Sequence, residues 1–195
     1  VTGARVFLVR HQADKIRKTT RWLIENYVER VIAVSRAVQD VLIKSGVSPQ
    51  KIEVIHNSIS LKKFNPALID RNSIREELGL KGDDILVGTV GKLHRGKGVY
   101  ELLNALEMLA GEYPMLRLLY VGEGPEKPEL QALSRKMSLQ ERIIFSGIRK
   151  DIERMYAAMD IFVLPSTCEE AFGMFLIESM AMVKAVIRAL VGGMA

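Results

Sequence analysis

ILVGTVGKLHRGKGVYELLNALEMLAGEYPMLRLLYV, residues 85–121, is the stretch on which the fold is decided. Its first six residues, 85–90, are rich in Val, Ile and Leu without strict alternation, the pattern of a strand buried on both faces. A basic, glycine-containing turn follows. Leu102, Leu103, Leu106, Leu109 and Ala110 then recur at helical spacing, and a second apolar run fills 116–121. Strand, amphipathic helix, strand is a βαβ unit, which requires parallel strands and a right-handed crossover. Working outward, similar runs occur at 5–9, 30–34, 52–55, 142–146, 161–164 and 185–189, and Leu130, Leu133 and Met137 mark another helix. The fold class is therefore α/β, with a Rossmann-like parallel sheet.

The strand count divides the chain. From Asp84 onward five strand-helix repeats follow without a break, enough for a doubly wound domain, whereas the residues before Asn57 hold only two or three. The expected layout is a partial α/β segment over 1–57, a crossing segment over 58–83 with a helix at 71–80, and a Rossmann-like domain over 84–195. No internal repeat or Gly/Ser linker interrupts it.

Among 195 residues 48% are hydrophobic and 26% charged, which excludes disordered and collagen-like chains. The single cysteine, Cys168, excludes a disulfide framework and a multi-thiolate zinc site. A reducing, cytoplasmic setting follows as the default. No apolar run reaches the roughly 18 residues needed to span a bilayer, and residues 1–12 do not read as a signal peptide. The net charge of +5 is uneven: residues 1–60 hold 10 basic and 5 acidic side chains, and the remainder holds 18 of each. Such a basic segment suits a membrane surface, an anionic substrate or nucleic acid, or is simply a solvated face.

In doubly wound folds ligands bind beyond the carboxyl ends of the strands. After 85–90 comes Gly91-Lys92-Leu93-His94-Arg95-Gly96-Lys97-Gly98. Glycines, lysines and a helix start together suit a phosphate or diphosphate. The Gly-Lys-Ser/Thr spacing of a Walker A loop is absent, and a solvated basic turn explains the composition nearly as well. After 116–121 comes Gly122-Glu123-Gly124-Pro125, with Lys127 where a dinucleotide fingerprint would carry its third glycine. This is either a ligand-binding turn or one that lets another backbone approach closely. After 161–164 comes Pro165-Ser166-Thr167-Cys168-Glu169-Glu170-Ala171-Phe172-Gly173, and then a helix carrying Glu178. Helical side chains tilt toward the N-terminus, so Glu178 can point toward the crevice. Two carboxylates beside N–H donors suit sugar and ribose hydroxyls. The alternative is that Glu169 and Glu170 complement the helix dipole and Glu178 is an exposed, solvated helix residue.

These residues carry a resemblance. The spacing from Glu170 to Glu178 resembles the E-x7-E motif of retaining, GT-B fold glycosyltransferases of the group 1 family. Val31-Ile-Ala-Val-Ser35 and Lys51-Ile-Glu-Val-Ile-His-Asn57 are similar to the segments that close the family's first domain and enter its second. Gly91-Lys92 with Lys97-Gly98 is similar to its diphosphate site, Gly122–Pro125 to its "GxGP" turn, and Ile143-Ile-Phe-Ser-Gly147 to the strand whose following backbone contacts the base. The resemblance implies that Gly91, Lys92 and Lys97 hold the donor diphosphate and that Glu170 bonds the donor sugar. It implies further that Phe172 and Gly173 present backbone N–H groups, that Glu178 holds the ribose, and that Gly122 and Gly147 shape the site. Lys97, Glu170 and His11 are the candidate catalytic residues. Lys92 stands where arginine is usual, keeping the charge but losing a bidentate fork. Ser58 replaces a glycine. Measured against the family, about half of the first domain precedes residue 1, and the chain stops at Gly192-Gly193-Met194-Ala195.

The implied reaction transfers a glycosyl group from a UDP- or GDP-sugar to a sugar or lipid-linked acceptor with retention. No Asp-x-Asp motif occurs, so no metal is expected, and no cofactor beyond the donor itself; lysines and a helix N-terminus would stabilise the departing diphosphate. The alternative is a sugar-nucleotide-binding module without turnover. A nicotinamide dehydrogenase lacks its fingerprint here, and no nucleic-acid reader module surrounds Arg10, Lys15, Arg17, Lys18, Arg21 and Trp22. Two readings fit this basic stretch. In the favoured one, Trp22, Leu23 and Tyr27 pack on the first-domain sheet or cover surface that the missing half of that domain would occupy. In the other, the helix is a peripheral membrane anchor. An open sheet edge would also favour homo-oligomers.

Overall fold

The computed structural model describes residues 5–168 and 173–189. The chain forms two compact units, one on Val1–Ser58 and the other on Ile59–Thr167 with Phe175–Ala189.

The first unit is a parallel sheet in the order β1-β2-β3, from Phe7–Arg10, Arg30–Ala33 and Ile52–Val54. Helix α1, Lys18–Tyr27, joins β1 to β2, and α2, Arg36–Lys44, joins β2 to β3. Val31, Ala33, Val34, Val38, Leu42 and Val47 are buried together with Ile24 of α1. Ser35 caps α2: its hydroxyl accepts from the Val38 N–H at 3.3 Å, satisfying a donor that the helix itself leaves over. At the other end of α1, the Lys51 ammonium donates to the carbonyls of Ile24, Glu25 and Val28 at 2.6–3.1 Å, where a cation complements the helix C-terminus.

Trp22, Leu23 and Tyr27 do not pack on this sheet. They are 56%, 50% and 63% exposed, and Ile24 alone of α1 is buried. Ile24 is the residue that α1 turns into the core, and Trp22, Leu23 and Tyr27 lie on the rest of the helix surface.

The second unit is a five-stranded parallel sheet ordered β6-β5-β4-β7-β8. Its strands are β4 Ile85–Val90, β5 Leu116–Val121, β6 Ile143–Gly147, β7 Ile161–Leu164 and β8 Ala185–Arg188. Helices α4 Val99–Leu109, α5 Lys127–Lys136, α6 Ile152–Ala158 and α7 Met174–Ala181 make the crossovers. Leu103, Leu118, Tyr120 and Leu130 lie in its core at 0–1% exposure. The order runs outward from β4 in both directions, so the chain reverses between β4 and β7. That reversal is the topological switch point, and the crevice beyond it is where ligands bind in such sheets.

The segment entering this unit ends in α3, Arg71–Glu77, capped by Asp70, which accepts from Asn72 and Ser73. The buried Arg75 anchors α3: its guanidinium donates to Ala158 O at 3.0 Å, to Asp160 at 3.2 Å and to Asp84 O. Asp160 also accepts from the Leu86 N–H at 2.8 Å. One side-chain pair therefore ties α3 to the entering ends of β4 and β7, opposite the crevice.

Candidate functional site

At the carboxyl ends of β4, β5 and β6 the backbone is laced across strands. Gly91 N–H donates to Val121 O at 2.9 Å, Leu93 N–H to Glu123 O at 3.0 Å, and Gly122 N–H to Gly147 O at 2.8 Å. Two glycines of the next turn, Gly122 and Gly124, leave no room for side chains at this close approach. A Cβ on Gly122, whose φ is 137°, would lie 2.0 Å from Gly91 O. Close backbone approach thus explains the 122–125 turn. Its lysine, Lys127, pairs with Glu123 at 2.5 Å one helical turn away.

The loop between β4 and α4 crosses the switch point. A 3₁₀ turn at Arg95–Lys97 ends on Gly98 in the left-handed region (φ 68°), and α4 starts at Val99. His94 Nδ1 accepts from the Gly96 N–H at 3.2 Å, and Thr167 N–H donates to Gly96 O at 3.0 Å. A Cβ at Gly98 would sit 1.9 Å from Pro165 O, so glycine alone lets the β7 loop close against this one. A small crevice results, lined by Gly91, Lys92, Lys97, Val99, Ser166 and Phe175 among others. Lys92 is exposed, Lys97 is part-buried, and Ser166 is buried. Lys92 and Lys97 bring two ammonium groups to the start of an 11-residue helix, a combination that suits an anion. Arg95 lies 5.3 Å over the Tyr100 ring, and the Tyr100 hydroxyl bridges to Glu126 and Glu129, joining this loop to the start of α5. Burial and then two carboxylates hold that hydroxyl protonated far above the usual tyrosine range.

Helix α7 leaves the β7 loop beside this crevice. Phe175 faces Gly91, and Glu178 lies three residues further along the helix, on the same side. Glu178 is part-buried, and its Oε2 accepts from the Tyr156 hydroxyl of α6 at 2.9 Å. Burial pushes its carboxyl above the usual range, while the Tyr156 hydrogen bond and the charge of Lys63 pull it back. A solvated face residue would show none of this.

Among the sequence candidates, Gly91, Lys92, Lys97, Gly122 and Gly147 thus gather at the strand ends, and Glu178 lies on the adjoining helix. Gly173, with φ 68°, directly precedes α7. Glu170 and Phe172 lie outside the described residues. His11 is in the first unit, exposed in the coil after β1. Among the described residues no group of three potential metal ligands comes together. Sequence reasoning missed Ser166, Tyr100, Tyr156 and Lys63. Tyr156 reads as an ordinary apolar residue of a helix, and no local signal shows that its hydroxyl meets a carboxylate 22 residues later.

Comparison with known proteins agrees with this geometry. Residues 70–195 match the family described as glycosyl transferases group 1, and residues 2–63 match glycosyltransferase family 4. A D-inositol 3-phosphate glycosyltransferase of Mycobacteroides abscessus is 31% identical over 175 residues, covering 85% of this chain and 38% of the relative. Among solved structures, Anabaena HepE in complex with UDP and glucose superposes with a TM-score of 0.85 at 27% identity, over 97% of this chain and 54% of that one. A glycosyltransferase from Rickettsia africae does so with a TM-score of 0.87 at 25% identity, over 98% and 53%. The chain therefore spans well under two thirds of the relatives it matches. With two parallel α/β sheets, a glycine-laced strand end and a family match over most of its length, this chain belongs to the group 1 glycosyltransferases of GT-B fold.

Proposed function

We propose that this chain provides the donor-binding part of an enzyme that moves a glycosyl group from a UDP- or GDP-sugar to a sugar or lipid-linked acceptor, with retention and without a metal. The observation that carries this reading is the crevice at the switch point, where Lys92 and Lys97 stand at the start of α4 beside Phe175 of α7. A diphosphate there would meet ammonium charge and helix N–H groups, and the same groups would stabilise charge on the departing diphosphate. Glu178 would accept from the ribose and Glu170 from the donor sugar. Phe172 and Gly173 would present backbone N–H groups, and Gly122 and Gly147 would shape the floor. His11 would act on the acceptor side. Support also comes from HepE, which was solved with UDP and with UDP-glucose.

Calorimetric titration with UDP, GDP, their glucose conjugates and pyrophosphate, with and without EDTA, tests this reading. Binding of a nucleoside diphosphate that EDTA leaves unchanged supports it, and no binding of any of them refutes it. Turnover tells the transferase from the non-catalytic binding module, and the anomeric configuration of the product, read by NMR, decides retention.

A second reading concerns α1. Trp22, Leu23 and Tyr27 are exposed beside Lys15, Arg17, Lys18 and Arg21, and Trp22 and Tyr27 meet edge to face at 5.6 Å. Aromatic and basic side chains on one short helix suit the surface of an anionic bilayer. No helix among the described residues is long and apolar enough to cross a membrane. Flotation with anionic but not neutral liposomes, abolished by high salt, would support a peripheral contact. Concentration-dependent association instead would point to a homo-oligomer formed through the open edge of β1.

A further inference from the structure

Glu178 is held by two groups that belong to neither the E-x7-E spacing nor the strand-end loops. Tyr156 is fully buried in α6, with its ring edge-on to Phe64 at 6.2 Å and to Phe162 at 5.4 Å. Those contacts fix the ring and with it the hydroxyl oxygen, which donates to Glu178 Oε2. That is the only side-chain hydrogen bond Glu178 makes among the described residues, and its second oxygen, Oε1, has no hydrogen-bond partner among them.

Lys63 acts from a third element. It precedes Phe64 in the segment entering the second unit, lies 5.5 Å over the Phe64 ring and pairs with Glu153 of α6 at 3.3 Å. Its charge reaches Glu178 and favours the carboxylate, against the burial that favours the neutral acid. Among the described residues, the charged and titratable groups that act on Glu178 are therefore Tyr156 and Lys63, with Glu153 sharing the lysine.

We propose that Tyr156 is a positioning residue for nucleotide recognition, with Lys63 as its electrostatic neighbour: Tyr156 occupies Oε2 of Glu178, so that Oε1 is presented to a vicinal-diol hydroxyl of the ligand. This rests on the reading of Glu178 as the ribose acceptor. The consequence for specificity is direct. A ribose-bearing ligand depends on this relay, whereas pyrophosphate, bound at the lysine crevice, does not. A 2′-deoxy, 3′-deoxy ligand escapes it too.

Tyr156→Phe keeps the ring and its packing but removes the donor. Lys63→Gln removes the charge and leaves the tyrosine in place. In the ligand-free protein, the Glu178 carboxyl, followed by carbon NMR and assigned by its loss in Glu178→Gln, should titrate about one pH unit higher in Tyr156→Phe, and should shift upward in Lys63→Gln as well. By calorimetry UDP should weaken about tenfold in Tyr156→Phe at neutral pH. The acid limb of UDP binding should move to higher pH, and pyrophosphate affinity should be unchanged. An unmoved Glu178 titration overturns the proposal, as does equal weakening of UDP and pyrophosphate, which marks a general loss of structure. If the unaltered chain binds pyrophosphate but not UDP, the ribose reading of Glu178 fails; the NMR shift then still decides whether Tyr156 and Lys63 control the carboxylate.

Discussion

The two units use the same parallel βα chemistry, yet their strand ends differ. In the five-stranded sheet, the loops after β4, β5, β6 and β7 bond to one another through backbone groups, at contacts where Gly98 and Gly122 leave no room for a Cβ. In the three-stranded sheet the loops do little more than continue the ladder: Val34 N–H donates to Arg10 O and Ile55 N–H to Ala33 O. Its apolar surplus stays outside instead, on Trp22, Leu23 and Tyr27 and on Phe7 and Val9 of β1. Where backbone holds backbone, a binding site can be prepared before any ligand arrives. Where side chains stand unpartnered, the geometry waits for another surface.

Placing a side chain in the lacing should do the greatest damage. Gly98→Val combines a disfavoured φ with a clash against Pro165 O, and should cost more than about 4 kcal/mol in denaturant unfolding of the second unit. A cost under ~1 kcal/mol would show that the lacing yields easily and would erase the contrast. Next comes the anchor on the far side of the same sheet. Arg75→Ala removes one of the two arginines that pair with the part-buried Asp160, Arg71 being the other, together with its bonds to Ala158 O and Asp84 O, and should cost about 3 kcal/mol by the same measurement. It should leave the crevice chemistry intact in whatever fraction remains folded.

Lys97→Ala tests whether the prepared end is an anion site. UDP affinity should fall by about 1.5–3 kcal/mol, one to two decades, while uridine is little affected. Equal losses for both ligands would move the phosphate elsewhere. Glu178→Gln should separate stability from function. Because its carboxyl titrates above the unfolded value, the folded state binds more protons between the two midpoints. Stability contributed at acid pH is therefore lost as pH rises through that window. Glu178→Gln should thus be more stable than the parent at neutral pH, with no such gain at pH 3, and it should bind UDP less well. Thermal melts at the two pH values check this. The smallest effect belongs to the other unit: Trp22→Ala should change stability by less than about 0.5 kcal/mol. Ile24→Ala, two residues along the same helix, should cost about 2–4 kcal/mol. A large loss from Trp22→Ala would mean that its surface is already covered.

Much of this was legible in the residues themselves. Runs rich in Val, Ile and Leu at 85–90, 116–121 and 161–164 match β4, β5 and β7 residue for residue, because strands buried on both faces are predominantly apolar. The edges were less legible. β1 is shifted to Phe7–Arg10 relative to the apolar run at 5–9, since an edge strand is paired on one side only and its composition constrains it weakly. The basic loop, the glycine turn and the glutamate on α7 were visible as types of residue at telling spacings. Their order along the chain was enough to name the family.

Tertiary structure alone decided three things. It showed that Gly122 is a glycine because Gly91 O passes within 2.0 Å of where a Cβ would be, a contact between residues 31 apart. It turned α1 so that Ile24, and not Trp22, meets the sheet, a choice that helical periodicity leaves open when apolar residues are adjacent. And it brought Tyr156 and Lys63 to Glu178 from separate elements. Spacing along a chain records neighbours on one helix or strand; hydrogen bonds and charges act through space, and only the packed fold sets those distances.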